Sequence, residues 1–158
     1  MRKIPLTQGK FALIDNEDFE RFGHLKWYAA KIKGNFYAVR GKWINGKRKQ
    51  FLLHRLIIGS PKGMMVDHKN HDTLDDRKNN LRVCTRGQNG WNAKISSSNV
   101  SGYKGVHWVK RDNRFRVYIR KNGVKNYIGD FRDLIEAAKA YNKAAKKYHG
   151  RFAFLNVV

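Results

Sequence analysis

Cysteine is nearly absent from this 158-residue chain, in which Cys84 stands alone. One cysteine forms no internal disulfide, and the missing CxxC pairs exclude the four-cysteine zinc sites of many DNA-binding modules, so any metal must bind oxygen and histidine. No apolar run approaches the roughly 18 residues that span a bilayer, and the N-terminus lacks the apolar stretch of a signal peptide. These absences predict a soluble, cytoplasmic protein without a membrane partner.

Acidic residues are also scarce. Asp and Glu number 12 against 34 Lys and Arg, which gives a net charge of +22 and a pI near 10.4. Such an excess favours a polyanionic partner, nucleic acid before any other. Hydrophobic residues make up 41% and aromatic residues 13% of the chain, too much for a disordered basic tail. The length suits one ordinary domain or two small ones.

The charge is unevenly spread. Residues 1–53 carry +8, residues 54–89 only +3, and residues 90–158 carry +11. The basic flanks favour contact with phosphate, whereas the middle gathers histidines and acids and favours chemistry. Residues 93–101 are small and polar, with three consecutive serines, and predict a linker.

Residues 1–53 predict a small β-rich region. A short helix is expected within residues 15–27, and strands are expected around Asn45-Gly46, a pair typical of hairpin turns.

The C-terminal region, residues 102–158, has the clearest pattern. Asn122-Gly123 predicts a hairpin, and Asp133 predicts the start of a helix that ends at Gly150. Three apolar residues alternate with four polar ones and so predict a half-buried strand: Phe115, Val117 and Ile119 with Arg114, Arg116, Tyr118 and Arg120. We therefore expect three strands packed on one helix, with a basic face opposite the helix.

This region resembles the AP2 (AP2/ERF) DNA-binding domain. The resemblance rests on Tyr103-Lys104-Gly105-Val106, Tyr127-Ile128-Gly129-Asp130-Phe131, the Ala-rich helix from Glu136 and the closing Phe154-Leu155-Asn156. That family lays a three-stranded sheet in the major groove of duplex DNA. Carried over by position, the resemblance implies these DNA contacts: Lys104, His107, Arg114, Arg116, Tyr118, Arg120 and Tyr127.

The middle segment, residues 54–92, predicts a strand, a polar loop, a second strand and a helix. The first strand runs into Asp67-His68, the second covers 81–84, and Thr85 with Gln88 predicts a helix that carries Asn89. Such a unit offers a carboxylate and an amide oxygen to Mg²⁺ or Mn²⁺ and leaves His68 as a base. These residue types suit phosphodiester hydrolysis.

The spacing from Asp67-His68 to Asn80 and then to Asn89 resembles the HNH nuclease motif in its His-Asn-Asn form. The resemblance implies a ββα-metal unit in which Asp67 and Asn89 bind the metal, His68 is the general base, and Asn80 orients the histidine loop. His54-Arg55 also recurs in this subgroup, and we expect structural or phosphate contacts there. We interpret His71, Asp72, Asp75 and Asp76 as loop residues and Cys84 as core.

Together the two resemblances predict an α+β protein: a metal-dependent DNA endonuclease of the homing type, encoded by a phage or mobile element and present in the host cytoplasm. One catalytic set predicts a monomer that nicks one strand of double-stranded DNA. The alternative is a non-catalytic AP2-type DNA-binding regulator, while an RNA-binding protein leaves the Asp-His-Asn spacing unexplained.

Overall fold

The computed structural model describes residues 1–158, which form two compact units, Met1–Thr85 and Arg86–Val158. The division falls just before the helix that carries Asn89, and so differs from the linker predicted at 93–101. The reason is local packing: Trp91 of that helix stacks on His149 with ring centroids 4.5 Å apart, and Lys104 Nζ donates to the carbonyl oxygens of Trp91 and Ala93. No helix is both long and apolar enough to cross a membrane.

The first unit contains three small sheets and two short helices. Its β1–β2 hairpin pairs two antiparallel strands, and β3, β4 and β5 form a sheet in that order. A further antiparallel pair joins β6 to β7. In chain order the elements are β1 (Arg2–Pro5), β2 (Phe11–Ile14), α1 (Asn16–Phe22), β3 (Tyr28–Ile32), β4 (Asn35–Ile44), β5 (Lys47–Leu52), α2 (Leu53–Ile58), β6 (Met65–His68) and β7 (Leu81–Cys84).

One apolar core joins β1, β2, β4, α2 and β7. The buried residues from β1 to β7 that compose it are Ile4, Ala12, Ile14, Trp27, Ala38, Leu53, Ile57 and Leu81. The apolar side chains of residues 1–53 are therefore buried in the same core as those of α2 and β7. The prediction of β-rich structure around Asn45-Gly46 is confirmed: both residues have positive φ in the turn from β4 to β5.

The second unit is a three-stranded antiparallel sheet packed on one long helix. It consists of α3 (Arg86–Asn92), β8 (Val106–Val109), β9 (Arg114–Lys121), β10 (Val124–Phe131) and α4 (Leu134–His149), with β9 central in the sheet. Val117 and Ile119 are buried against Ala137, Ala138 and Tyr141 of α4. The predicted alternation, the Asn122-Gly123 turn and the helix start at Asp133, whose side chain accepts a hydrogen bond from Glu136 N, are all confirmed.

Gly105 occupies a position that no other residue fits. Its φ is +76°, and a Cβ there would collide with the Tyr141 ring and lie 2.7 Å from the Tyr118 carbonyl oxygen. We expect Gly105→Ala to lower the free energy of unfolding by about 3 kcal/mol, combining a left-handed conformation with overpacking.

Gly102→Ala is the matched control, because Gly102 has φ +74° but nothing within 4 Å of the added carbon. It should cost only about 1 kcal/mol. Urea unfolding followed by circular dichroism measures both, and equal losses in the two variants would contradict the packing argument.

Candidate active site

The β6–β7 pair places the predicted catalytic residues at its end. Asp67 pairs with Arg82 across the two strands, and His68 pairs with Leu81. Both Asp67 and His68 are buried. The Arg82 guanidinium donates to Asp67 Oδ2 from Nε at 2.8 Å, and its Nη2 lies 2.6 Å from the same oxygen. This ion pair fixes the carboxylate that precedes the histidine.

Asn80 fastens the loop that connects the two strands. Its side-chain Oδ1 accepts a hydrogen bond from Asn70 N at 3.0 Å, and its Nδ2 donates to the Asp75 carbonyl oxygen at 2.7 Å. The Asn80 carbonyl oxygen accepts from Lys69 N. The buried Asn80 side chain thus joins Asn70 to Asp75 within the loop.

The loop is also joined to β2. Leu13 N donates to the Leu74 carbonyl oxygen, and Asp76 N donates to the Leu13 carbonyl oxygen, each at 2.8 Å. These bonds form a short parallel bridge between Leu13 and Asp75. The N-terminal hairpin therefore supports the loop that carries the acids.

Asp75 and Asp76 lie in the loop, as expected. They are buried there, with 2% and 0% of their surface exposed. Asp75 binds the Arg77 guanidinium at 2.6 and 2.7 Å, and this pairing lowers the pKa of its carboxyl group. Asp76 instead points to His68, because its backbone is hydrogen-bonded to Leu13 of β2.

Asp76 Oδ1 lies 2.9 Å from His68 Nε2. Burial raises the pKa of Asp76, while the hydrogen bond from His68 opposes that rise. A buried carboxylate that bonds to one ring nitrogen fixes both the orientation and the tautomer of an imidazole. No sequence pattern indicates this role, since Asp76 stands among several acids in a polar loop.

His54 lies beside this pair. It is 5% exposed on α2, which agrees with the structural one of the two roles expected for it, and its ring centroid is 5.0 Å from that of His68. Burial, then the neighbouring His68 and Arg55, lowers the pKa of His54 to about 3, so its imidazole is neutral at physiological pH. Tyr37 of β4 completes the surroundings, with its ring centroid 5.5 Å from that of His54.

Asn89, Arg55 and Cys84 are the other residues that the sequence singled out in this region. Asn89 lies in α3 of the second unit. Arg55 is half-buried, and its Nη1 donates to the Met64 carbonyl oxygen at 3.2 Å. Cys84 is fully buried, as predicted, and burial raises the pKa of its thiol to about 11.

The predicted DNA-facing residues of the second unit differ in availability. Arg116 is already paired: Asp130 binds its Nε and Nη2 at 2.8 and 2.7 Å, and Asp112 binds Nη2 at 2.9 Å. Lys104 is engaged within its own unit as described above, and burial lowers its pKa to about 8. These two cations therefore have structural partners, which alternation in the sequence does not reveal.

The other residues form an exposed basic and aromatic surface on β8, β9 and β10. Tyr118 lies at its centre, with Tyr127 opposite it in register and the Lys125 ammonium 3.7 Å above its ring centroid. Arg120 is exposed and pairs in register with Lys125. His107 is exposed on β8, and Arg114 Nη1 donates to the Asn113 carbonyl oxygen. We call Tyr118, Arg120, Lys125 and Tyr127 the sheet face.

A histidine held by a buried carboxylate, directly after a second carboxylate on a short β-hairpin, is suited to base-assisted hydrolysis. Residues 51–91, which include this arrangement, match the family model of the HNH endonucleases. The chain belongs to the HNH endonuclease family, and it is a nuclease.

Viral proteins are among its relatives. Over 93 residues the chain is 36% identical to Protein 3.8 of Escherichia phage T7, covering 59% of this chain and 76% of that protein. It is 29% identical over 152 residues to the Uncharacterized HNH endonuclease L560 of Acanthamoeba polyphaga mimivirus, covering 96% and 77% of the two chains. Among solved structures it is similar to the structure of the HNH homing endonuclease I-HmuI. The TM-score is 0.36 and the identity 21%, and the match covers 77% of this chain and 74% of that chain.

Proposed function

We propose that the chain is a metal-dependent homing-type endonuclease that hydrolyses phosphodiester bonds of double-stranded DNA. The observation that carries this proposal is His68, which is buried on β6 directly after Asp67 and hydrogen-bonded to Asp76, within the segment that matches the HNH family. The net charge of +22 supports a polyanionic substrate. Viral relatives support a phage or mobile-element source.

His68 acts as the general base in this proposal. Because its Nε2 bonds to Asp76, a proton taken from the attacking water is received at Nδ1. Asn80 keeps the loop, and hence Asp76, in place through its two hydrogen bonds. Base catalysis of this kind contributes about 10²–10⁴-fold to rate.

The donor chemistry fits a divalent cation. We propose the Asp67 carboxylate as a ligand of Mg²⁺ or Mn²⁺, which prefer oxygen. The ligand role of Asn89 stays a prediction from the HNH resemblance. A cation at this point supplies charge neutralisation on the scissile phosphate and the departing 3′-oxygen.

We assign DNA binding to the AP2-like second unit. The sheet face joins exposed cations to two tyrosines, a combination that contacts phosphates and base edges. The AP2 resemblance supports placing this face in the major groove. The paired Arg116 and Lys104 then support the fold of the unit, while Arg120 and Lys125 meet the DNA.

The product should be a nick. One His68 base in one orientation reaches one strand, so a monomer converts supercoiled plasmid to relaxed circles before linear molecules appear. Agarose gels over a time course, at enzyme concentrations below and above that of the plasmid, measure the order of products. Linear DNA formed directly, together with a dimer mass on DNA in solution scattering, would contradict the prediction.

A further inference from the structure

His54, His68 and Asp76 form a compact set of buried donor groups. We call it the buried His–Asp cluster. Each residue offers one ligand atom, and these atoms all lie within 4.8 Å of one another. They come from α2, the end of β6 and the loop fixed on β2, so three separately supported segments converge on one point.

Two atoms of the cluster are buried without a hydrogen-bond partner. They are His54 Nδ1 and Asp76 Oδ2. Native proteins rarely leave buried polar atoms unsatisfied, and a bound ion is one of the few explanations for such atoms. The two atoms belong to neighbouring members of the same cluster, which points to one shared ligand.

The donor set selects the kind of ion. Two imidazoles and one carboxylate suit Zn²⁺ and related transition metals, whereas Mg²⁺ favours a set made of oxygen. Three protein ligands with a fourth position open is a familiar four-coordinate zinc arrangement.

The geometry needs only modest adjustment. Zinc–nitrogen distances of about 2.0–2.1 Å in a tetrahedron place neighbouring donors roughly 3.3 Å apart. His68 Nε2 and Asp76 Oδ1 are already 2.9 Å apart. The ligand atom of His54 lies within 4.8 Å of both.

We propose that His54, His68 and Asp76 bind one Zn²⁺-type transition-metal ion, with a ligand set separate from Asp67, and that occupation of this cluster switches the nuclease off. The inhibitory half rests on the proposed base role of His68. Zn²⁺ at Nε2 replaces the hydrogen bond to Asp76, and the single proton of the neutral ring is then carried on Nδ1. A ring that is bound to the cation at Nε2 and protonated at Nδ1 accepts no proton from water.

Binding is tested on the full chain without DNA, so the result does not depend on cleavage. Zn²⁺ titrated into metal-free protein by calorimetry should bind with a stoichiometry of one, and Co²⁺ should give the intense visible bands of four-coordinate cobalt. His54→Gln and Asp76→Asn should lose both signals. His24→Gln and Asp72→Asn, which change the same residue types at exposed positions, should retain them.

A ligand exchange covers the case in which a buried variant fails to fold. His54→Cys keeps a zinc ligand at the position, and its Co²⁺ complex should gain a near-ultraviolet thiolate-to-cobalt band. The parent, whose single thiol is the buried Cys84, should lack that band. A variant that is folded by circular dichroism and binds Co²⁺ without the band would overturn the assignment of residue 54 as a ligand.

The activity arm measures plasmid cleavage in excess Mg²⁺ with increasing Zn²⁺. Saturating Zn²⁺ should lower the rate by the same ~10²-fold as loss of the base. If Zn²⁺ binds without lowering the cleavage rate, the proposed inhibition is wrong, while the proposed zinc site stands. A parent chain that binds neither Zn²⁺ nor Co²⁺ yet cleaves DNA would overturn the zinc proposal and leave the proposed function intact.

Discussion

His68→Ala should lower the rate of DNA cleavage by at least ~10²-fold, because it removes the proposed general base and leaves the proposed metal ligands in place. DNA affinity should be unchanged, since His68 is buried at the end of β6 and the proposed DNA contacts lie elsewhere. Single-turnover cleavage of supercoiled plasmid measures the rate, and fluorescence anisotropy with a labelled duplex measures affinity.

His24→Ala is the control, because His24 is exposed and outside the cluster. It should cleave at the parent rate. Removal of a buried ring can destabilise the protein, so circular dichroism must show that His68→Ala is folded. A folded His68→Ala protein that cleaves as fast as the parent would refute the active-site assignment.

The double variant Arg120→Ala with Lys125→Ala should weaken duplex binding by at least about tenfold, through the loss of two phosphate contacts and of their counterion release. The slope of log affinity against log salt should fall by about 2. Both side chains are exposed and stand opposite each other on β9 and β10. Anisotropy titrations at several salt concentrations measure both quantities.

A second double variant with the same change in net charge shows whether the loss of affinity depends on where the charges lie. Lys139 and Lys146 are exposed on α4, whose other side packs on the sheet. Lys139→Ala with Lys146→Ala removes two positive charges away from the sheet face and should leave most of the affinity. Equal losses in the two double variants would show that the sheet face has no special role in binding.

Local patterns predicted much of the secondary structure. The helix from Leu134, the Asn122-Gly123 turn and the alternation of Val117 and Ile119 each depend on residues close in sequence, and each is present. The same holds for the β6–β7 pair that carries Asp67 and His68. Helix capping, turn chemistry and hydrophobic periodicity each depend on a few neighbouring residues, so they can be recognised in a short stretch of sequence.

Contacts between distant residues could not be predicted in this way. The burial of Asp76 depends on hydrogen bonds between its loop and β2, more than sixty residues earlier in the chain. The pairing of Arg116 depends on Asp130 across two strands. His54 joins the site because α2 packs against the β6–β7 pair. In each case the partner lies outside the local sequence pattern, so no periodicity or motif indicates it.

The central claim is that this chain hydrolyses DNA with the help of a divalent cation, and cleavage of supercoiled plasmid by the metal-free protein tests it most directly. The account predicts no cleavage in EDTA, relaxed circles on addition of Mg²⁺ or Mn²⁺, and loss of that restored activity in His68→Ala. Cleavage by the parent that persists in EDTA, or no cleavage with either metal by folded protein that binds the duplex, would contradict it.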